Sequence, residues 1–333
     1  MPSADDGVDI DTGGVCVTRK DRPMKRIITA FVLIDIATSA LAAPPFREDT
    51  VMVQKSSGLF GTKIETQIYA PQAEGKFPVV VLNHGHEQMP SAANLLEMFR
   101  GQALEFVKRG YVVVVPYRSG YSHSSGSNLI NEPASTAGLG REWASDAIAA
   151  IDYARKLPNV DDSRIVVIGQ SQGGFTTVAI GSMNVPGVIG IVDFVGAARQ
   201  RTYEPATEAF ASFGKTSTVP ALFMYGDNDM YGSAAPANSV PRGYLKAYDD
   251  AGGHATLYDY GTYGKDSHVM FHRRDGMPIW EPPVGQFFQS LGLNWDVKYP
   301  MYVPYAWSRK KSQAIATGGN EFGNKSDGGG DEQ

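Results

Sequence analysis

The chain has 333 residues, a formal charge of −5, 42% hydrophobic residues and a single cysteine. A mildly acidic balance with no basic stripe excludes a nucleic-acid-binding surface, and the length suits one large α/β domain. One cysteine excludes a disulfide framework.

At the N-terminus, residues 1–23 carry Asp5, Asp6, Asp9 and Asp11 without periodic apolar partners, and read as a disordered extension ahead of a second possible start at Met24. Met24-Lys25-Arg26 then opens a basic stretch, residues 27–34 are largely apolar up to Asp35, and Ala40-Leu41-Ala42 supplies a small-residue cleavage site. Those are the three parts of a secretory signal peptide over residues 24–42. The apolar part is too short to span a bilayer, which takes about 20 apolar residues. The expectation is therefore an exported protein, periplasmic or extracellular, with no stable membrane anchor after processing. Cys16 falls upstream of the cleavage site, so the mature chain would hold neither a cysteine nucleophile nor a thiolate metal site.

Residues 50–55 and 62–69 alternate apolar and polar side chains around Ser56-Ser57-Gly58, as an antiparallel hairpin does. Residues 77–83 (FPVVVLN) form an almost wholly apolar run, the mark of a strand covered on both faces. An amphipathic helix over 92–109, closed by Gly110, leads to a strand over 111–115. Next come a helix over 141–157, a strand over 165–168, a helix over 175–183 and a strand over 188–195. A connection over 197–220 follows, long enough for one or two short helices. The pattern closes with a strand over 221–225, a helix over 239–251, a strand over 255–260 and a helix over 284–291. This alternation predicts an α/β fold: a mostly parallel central sheet with an N-terminal antiparallel hairpin and helices on both faces. One domain is expected over 43–311. The polar, glycine-rich residues 312–333 read as a disordered tail.

Between the strand over 165–168 and the helix after it stands Gly169-Gln170-Ser171-Gln172-Gly173. This G-x-S-x-G pattern, in strand-turn-helix context, is the signature of a nucleophile elbow. Together with Asn83-His84-Gly85-His86, Gly226-Asp227-Asn228-Asp229 and Asp266-Ser267-His268, in that layout, the chain resembles the α/β-hydrolase superfamily. Within it the chain looks most like dienelactone-hydrolase-type and related secreted esterases, over residues 50–293.

The resemblance implies a serine hydrolase that cleaves carboxylic esters through an acyl-enzyme, with Ser171 as nucleophile, His268 as base and Asp229 as acid. His268 sits on the loop after the last strand, with Phe271 three residues on. The rival His254 precedes that strand and belongs at the other end of the sheet, and His272 reads as a surface residue. Asp229 fills the acid position of the family's G-x-x-D pattern; Asp227 is next, and Asp193 an outside candidate. An oxyanion needs two backbone donors, and the family's pattern assigns them to the N–H groups of Gln172 and His86. Two histidines, His84 and His86, without a clear third ligand make a poor zinc site, so neither a metal nor another cofactor is expected. Tyr117-Arg118-Ser119-Gly120-Tyr121-Ser122 resembles the family's supporting turn, which makes Tyr117 and Tyr121 candidates to line the substrate pocket. An uncapped site would suit an accessible ester, small or polymer-linked. Two other readings remain: a serine peptidase of the prolyl-oligopeptidase type, though fewer than 50 residues precede the hairpin where that group carries a propeller, and a non-catalytic binding protein, which would not need an intact triad.

Overall fold

The computed structural model describes residues 45–56, 61–86, 99–127, 135–197, 204–229 and 240–301. Eight strands form one sheet in the order β1-β2-β4-β3-β5-β6-β7-β8. The first pair, β1 (Phe46–Gln54) and β2 (Lys63–Pro71), is antiparallel, as is β2 against β4 (Val112–Pro116). From β4 onward the pairs are parallel, through β3 (Phe77–Asn83), β5 (Val160–Gln170), β6 (Val188–Phe194), β7 (Ala221–Tyr225) and β8 (Ala255–Asp259).

The central strands are apolar because both of their faces are covered. Val80, Val81, Leu82, Val112, Val113, Val114, Val166, Val167 and Ile168 are fully buried. Two helix groups provide the cover. Phe106 of α1 (Arg100–Lys108) stacks on Trp280 and Phe288 of α6 (Met277–Ser290), with ring centroids 5.8 and 5.7 Å apart. Phe175 of α3 (Gln172–Gly181) meets Trp143 of α2 (Thr136–Ala154), and Phe210 and Phe213 of α4 (Glu204–Gly214), edge to face. Helix α5 (Val240–Asp250) joins this second group where Tyr244 stacks on Phe210.

Several boundaries differ from the sequence expectation. Helix α2 begins at Thr136 rather than 141, because the Ser135 hydroxyl caps it by accepting from Gly138 N at 3.1 Å. Gly138 and Gly140 mask that turn to a propensity reading. Helix α3 starts at Gln172, immediately after the elbow, and α6 at Met277, where a proline in the first turn is tolerated. Among its described residues the connection over 197–220 holds one helix, α4, of 11 residues. The leader over 24–42, the tail over 312–333 and the first half of the helix expected over 92–109 lie outside the described residues.

Register sets where a site can form. Asn83 of β3 pairs with Gly169 of β5, and Gly169 in turn with Asp193 of β6. Strand order reverses at β3, so the loops after β3 and β5 leave the sheet side by side. A crevice beyond the strand ends at such a switch point is where open α/β sheets bind ligands.

Candidate active site

The elbow is strained, and the sequence around it is what permits the strain. Ser171 has φ 57° and ψ −124°, a backbone region that costs a residue with a Cβ on the order of 1–3 kcal/mol. The turn closes only because its flanking residues have no side chain. A Cβ on Gly169 would lie 2.1 Å from the Gly173 carbonyl oxygen, and one on Gly173 would lie 2.0 Å from that of Asn83. Backbone bonds hold Ser171 in place: its N–H donates to Phe194 O at 2.9 Å, and its carbonyl accepts from Phe175 N at 3.0 Å and Ala197 N at 3.2 Å. The Ser171 side chain does not cap α3, so the positive end of that helix dipole faces the site.

The loop after β3 closes against the elbow. A Cβ on Gly85 would lie 2.7 Å from Gln170 Oε1 and 3.4 Å from Ser171 Cβ, so the backbone at 84–86 packs against the elbow and a larger residue would displace the end of the Gln170 side chain. His84 is fully buried beneath this loop. Its Nε2 accepts from Arg118 N at 3.0 Å and its Nδ1 lies 2.8 Å from Gly85 O, which assigns the proton to Nδ1. Burial, and then the charge of Arg118, push its pKa well below the usual value. His84 is thus a neutral support, with one ring nitrogen engaged inside the loop and the other by the Arg118 N–H.

Arg118 belongs to the turn that the resemblance placed in support of the site, but its partners were not legible in the sequence. It is 1% exposed, with Nη2 donating to Gly85 O at 2.9 Å and to Gln172 Oε1 at 2.6 Å, while Nη1 donates to His84 O. One guanidinium therefore braces both segments whose N–H groups are the oxyanion candidates. Its turn is fastened in turn by Asp146 of α2, which accepts from Ser119 N at 2.7 Å and pairs with Lys55 at 2.6 Å. The signal for Arg118 was an arginine two residues after the apolar run VVVVP, where a cation needs buried acceptors.

Tyr117 and Tyr121 are 0% and 1% exposed, with Tyr121 edge-on to the His84 ring at 4.6 Å. The Tyr121 hydroxyl lies 2.9 Å from His86 Nδ1 and 3.4 Å from Gln172 Oε1. Both rings sit under the loop, where they support its position.

On the far side of the serine, the 3₁₀ turn Ser267–His272 carries His268, with Asp266 capping it by accepting from His268 N at 2.9 Å. His268 Nδ1 lies 2.9 and 3.0 Å from the two carboxylate oxygens of Asp229, and both residues are buried. With Nδ1–H donated to the carboxylate, Nε2 keeps its lone pair. The turn is tied to the elbow by Gln170, whose Nε2 donates to His268 O at 2.9 Å. Gln102 Nε2 donates to Phe271 O at 2.6 Å, and Phe271 stacks on Phe194 at 4.1 Å. Gln170, in the motif itself, was not singled out from sequence; its partner lies 98 residues away.

The rival residues are placed elsewhere. His254 is exposed, and its carbonyl accepts from Ala221 N at the start of β7, the opposite end of the strands from Ser171. Asp227 is exposed beside Asp229. His272, expected at the surface, instead stacks on Phe99 at 5.1 Å; burial, with the neighbouring His268, pushes its pKa down to about 4. Asp193 is fully buried within β6 and hydrogen-bonds Tyr225 rather than His268.

Residues 60–217 match the model of the X-Pro dipeptidyl-peptidase (S15) family, a stretch that includes Ser171 and ends before Asp229. No curated protein matches the sequence. Among solved structures, the fold is similar to an esterase from Pyrococcus furiosus at 15% identity and TM-score 0.55, covering 74% of this chain and 91% of that one. A dienelactone hydrolase-like promiscuous phosphotriesterase from metagenomic libraries is similar at 14% identity and TM-score 0.52, covering 74% and 99%. An acylaminoacyl peptidase from Pyrococcus horikoshii is similar at 15% identity and TM-score 0.54, over 78% of this chain and 43% of that one.

Proposed function

We propose, from the premise that this chain is an α/β-hydrolase by fold with dienelactone-hydrolase-like and esterase neighbours, that it is a serine hydrolase acting on carboxylic esters. The observation that carries this reading is the pairing of a strained serine elbow with a buried Asp229–His268 couple tied to that elbow through Gln170. Ser171 Oγ attacks the ester carbonyl while His268 Nε2 takes its proton, and the imidazolium that forms is stabilised by Asp229. The oxyanion is met by the N–H groups of His86 and Gln172. His268 then returns the proton to the departing alcohol. Water attacks the acyl-Ser171 by the same route, releasing the acid and restoring the serine.

The ester reading draws on the likeness of the fold to an esterase and to a dienelactone hydrolase-like enzyme. The peptidase reading is favoured by one observation, the match of residues 60–217 to the X-Pro dipeptidyl-peptidase family. A fluorophosphonate probe should label Ser171, and the chain should turn over p-nitrophenyl esters of short acyl groups at least 100-fold faster than X-Pro anilides. Faster cleavage of the anilides would transfer the assignment to the peptidase class, and no labelling at all would leave only a binding protein. The substrate is taken to be a small or polymer-linked ester.

We also propose export through the leader over 24–42. No helix among the described residues is long and apolar enough to cross a membrane. Expressed from its own start in a bacterial host, the chain should appear outside the cytoplasm with an N-terminus at or near Ala43. An active protein confined to the cytoplasm and still beginning at Met1 would refute this.

A further inference from the structure

Behind the elbow lies a carboxyl group that the mechanism above does not use. Asp193, in β6, is 0% exposed and sits opposite Gly169 in register. It is wedged between the start of α3 and the turn that leaves β6: a Cβ on Gly174 would lie 2.1 Å from Asp193 Oδ1, and one on Gly196 2.2 Å from the same atom. Val195 in that turn has φ 49°, a left-handed conformation that is a genuine outlier for a β-branched residue. The turn is also what holds Ser171, since Phe194 O accepts from Ser171 N and Ala197 N donates to Ser171 O.

The hydrogen-bond count around Asp193 constrains its protonation. The Tyr225 hydroxyl lies 2.9 Å from Asp193 Oδ2 and 2.7 Å from Gly196 O. That hydroxyl has one proton to donate. A carbonyl oxygen can only accept, so if Tyr225 donates to Gly196 O, the remaining contact needs a proton from the acid. Among the described residues no Lys, Arg or His pairs with Asp193. The end of β5 and all of α3 bring no ionisable side chain against it. The titratable groups on that side are Tyr225 itself, with Tyr244 of α5 and Asp229 acting on Tyr225. Burial pushes the Asp193 carboxyl up to about 7, against the pull of the Tyr225 hydroxyl and the Gly196 N–H.

We propose that Asp193 is a positioning residue for Ser171 that works as a neutral carboxylic acid: its O–H donates to the Tyr225 oxygen, Tyr225 donates to Gly196 O, and this relay locks the strained Val195 turn to which Ser171 is bonded. The role rests on the reading of Ser171 as the nucleophile. Ionising Asp193 removes the relay's first proton. Carboxylate and carbonyl then compete for the single Tyr225 proton, the turn loosens, and turnover falls as pH rises through the carboxyl's range. The sign is that of an acid with a raised pKa: the working form is the protonated one, present below the transition and lost above it.

The test is the pH dependence of ester turnover in wild type, Asp193→Asn and Tyr225→Phe, read beside infrared difference spectra of the carboxyl groups. Asparagine keeps an N–H donor for the Tyr225 oxygen and cannot ionise. In wild type, kcat should fall roughly tenfold between about pH 7 and about pH 8.5 with KM nearly unchanged. Asp193→Asn should keep turnover at about pH 7 within a few-fold and lose that alkaline fall, while Tyr225→Phe should lower kcat across the range. Independently of activity, wild type at about pH 6 should show a protonated carboxyl band that disappears on alkalinisation and is missing from Asp193→Asn. An alkaline fall that persists in Asp193→Asn overturns the positioning role, and absence of the band overturns the protonated state. If the band is present but no ester is turned over, the functional reading fails, and the positioning role fails with it.

Discussion

Ser171→Ala should lower ester turnover by a factor on the order of 10^6, His268→Ala should do the same, and the double variant should be little worse than either alone. Without the hydroxyl there is no acyl-enzyme. Without the imidazole the hydroxyl keeps its proton and is a weak nucleophile. Each loss disables the same step, so the free-energy penalties do not add. His254→Ala should leave turnover within a few-fold of wild type, because that side chain is exposed at the opposite end of the strands. Steady-state kinetics on one activated ester checks all four variants. Retained activity in His268→Ala with loss in His254→Ala would move the base.

Asp229→Asn should cost about 10^4 in kcat. The carboxylate accepts the Nδ1 proton of His268 at 2.9 Å. An amide turned to present its N–H instead would favour the tautomer with the proton on Nε2, which cannot receive the serine proton. Asp227→Asn should cost no more than a few-fold, since Asp227 is exposed and no contact with His268 involves its side chain. Melting temperatures of both variants should stay near wild type, which separates a lost catalytic step from lost folding. The reverse ranking would identify Asp227 as the acid.

The strands were legible because burial on both faces leaves its mark on nearly every residue of a run. The runs over 77–83, 111–115 and 221–225 read as strands and correspond to β3, β4 and β7, all of them buried or nearly so. The elbow was legible for a local reason, since its glycines are demanded by backbone atoms only a few residues away or directly across β3. Helix boundaries were less so. The start of α2 rests on one cap followed by two glycines, and that of α6 falls among prolines. His272 read as a surface residue because the ring that covers it, Phe99, comes from the entrance to α1, far back in the chain.

The chain by itself determined the class of fold, through the periodicity of burial, and it carries Ser171, Asp229 and His268 in the order that the family resemblance implies. Only the tertiary structure decided what supports those residues. Arg118 beneath the two candidate oxyanion segments, Gln170 tied to His268, and Asp193 with Tyr225 behind the elbow are each joined to partners 29 to 98 residues away. No local pattern encodes such pairings. A buried polar side chain must find its partner wherever the packed sheet brings a donor or acceptor within reach, and that is a property of strand order and register rather than of neighbouring residues.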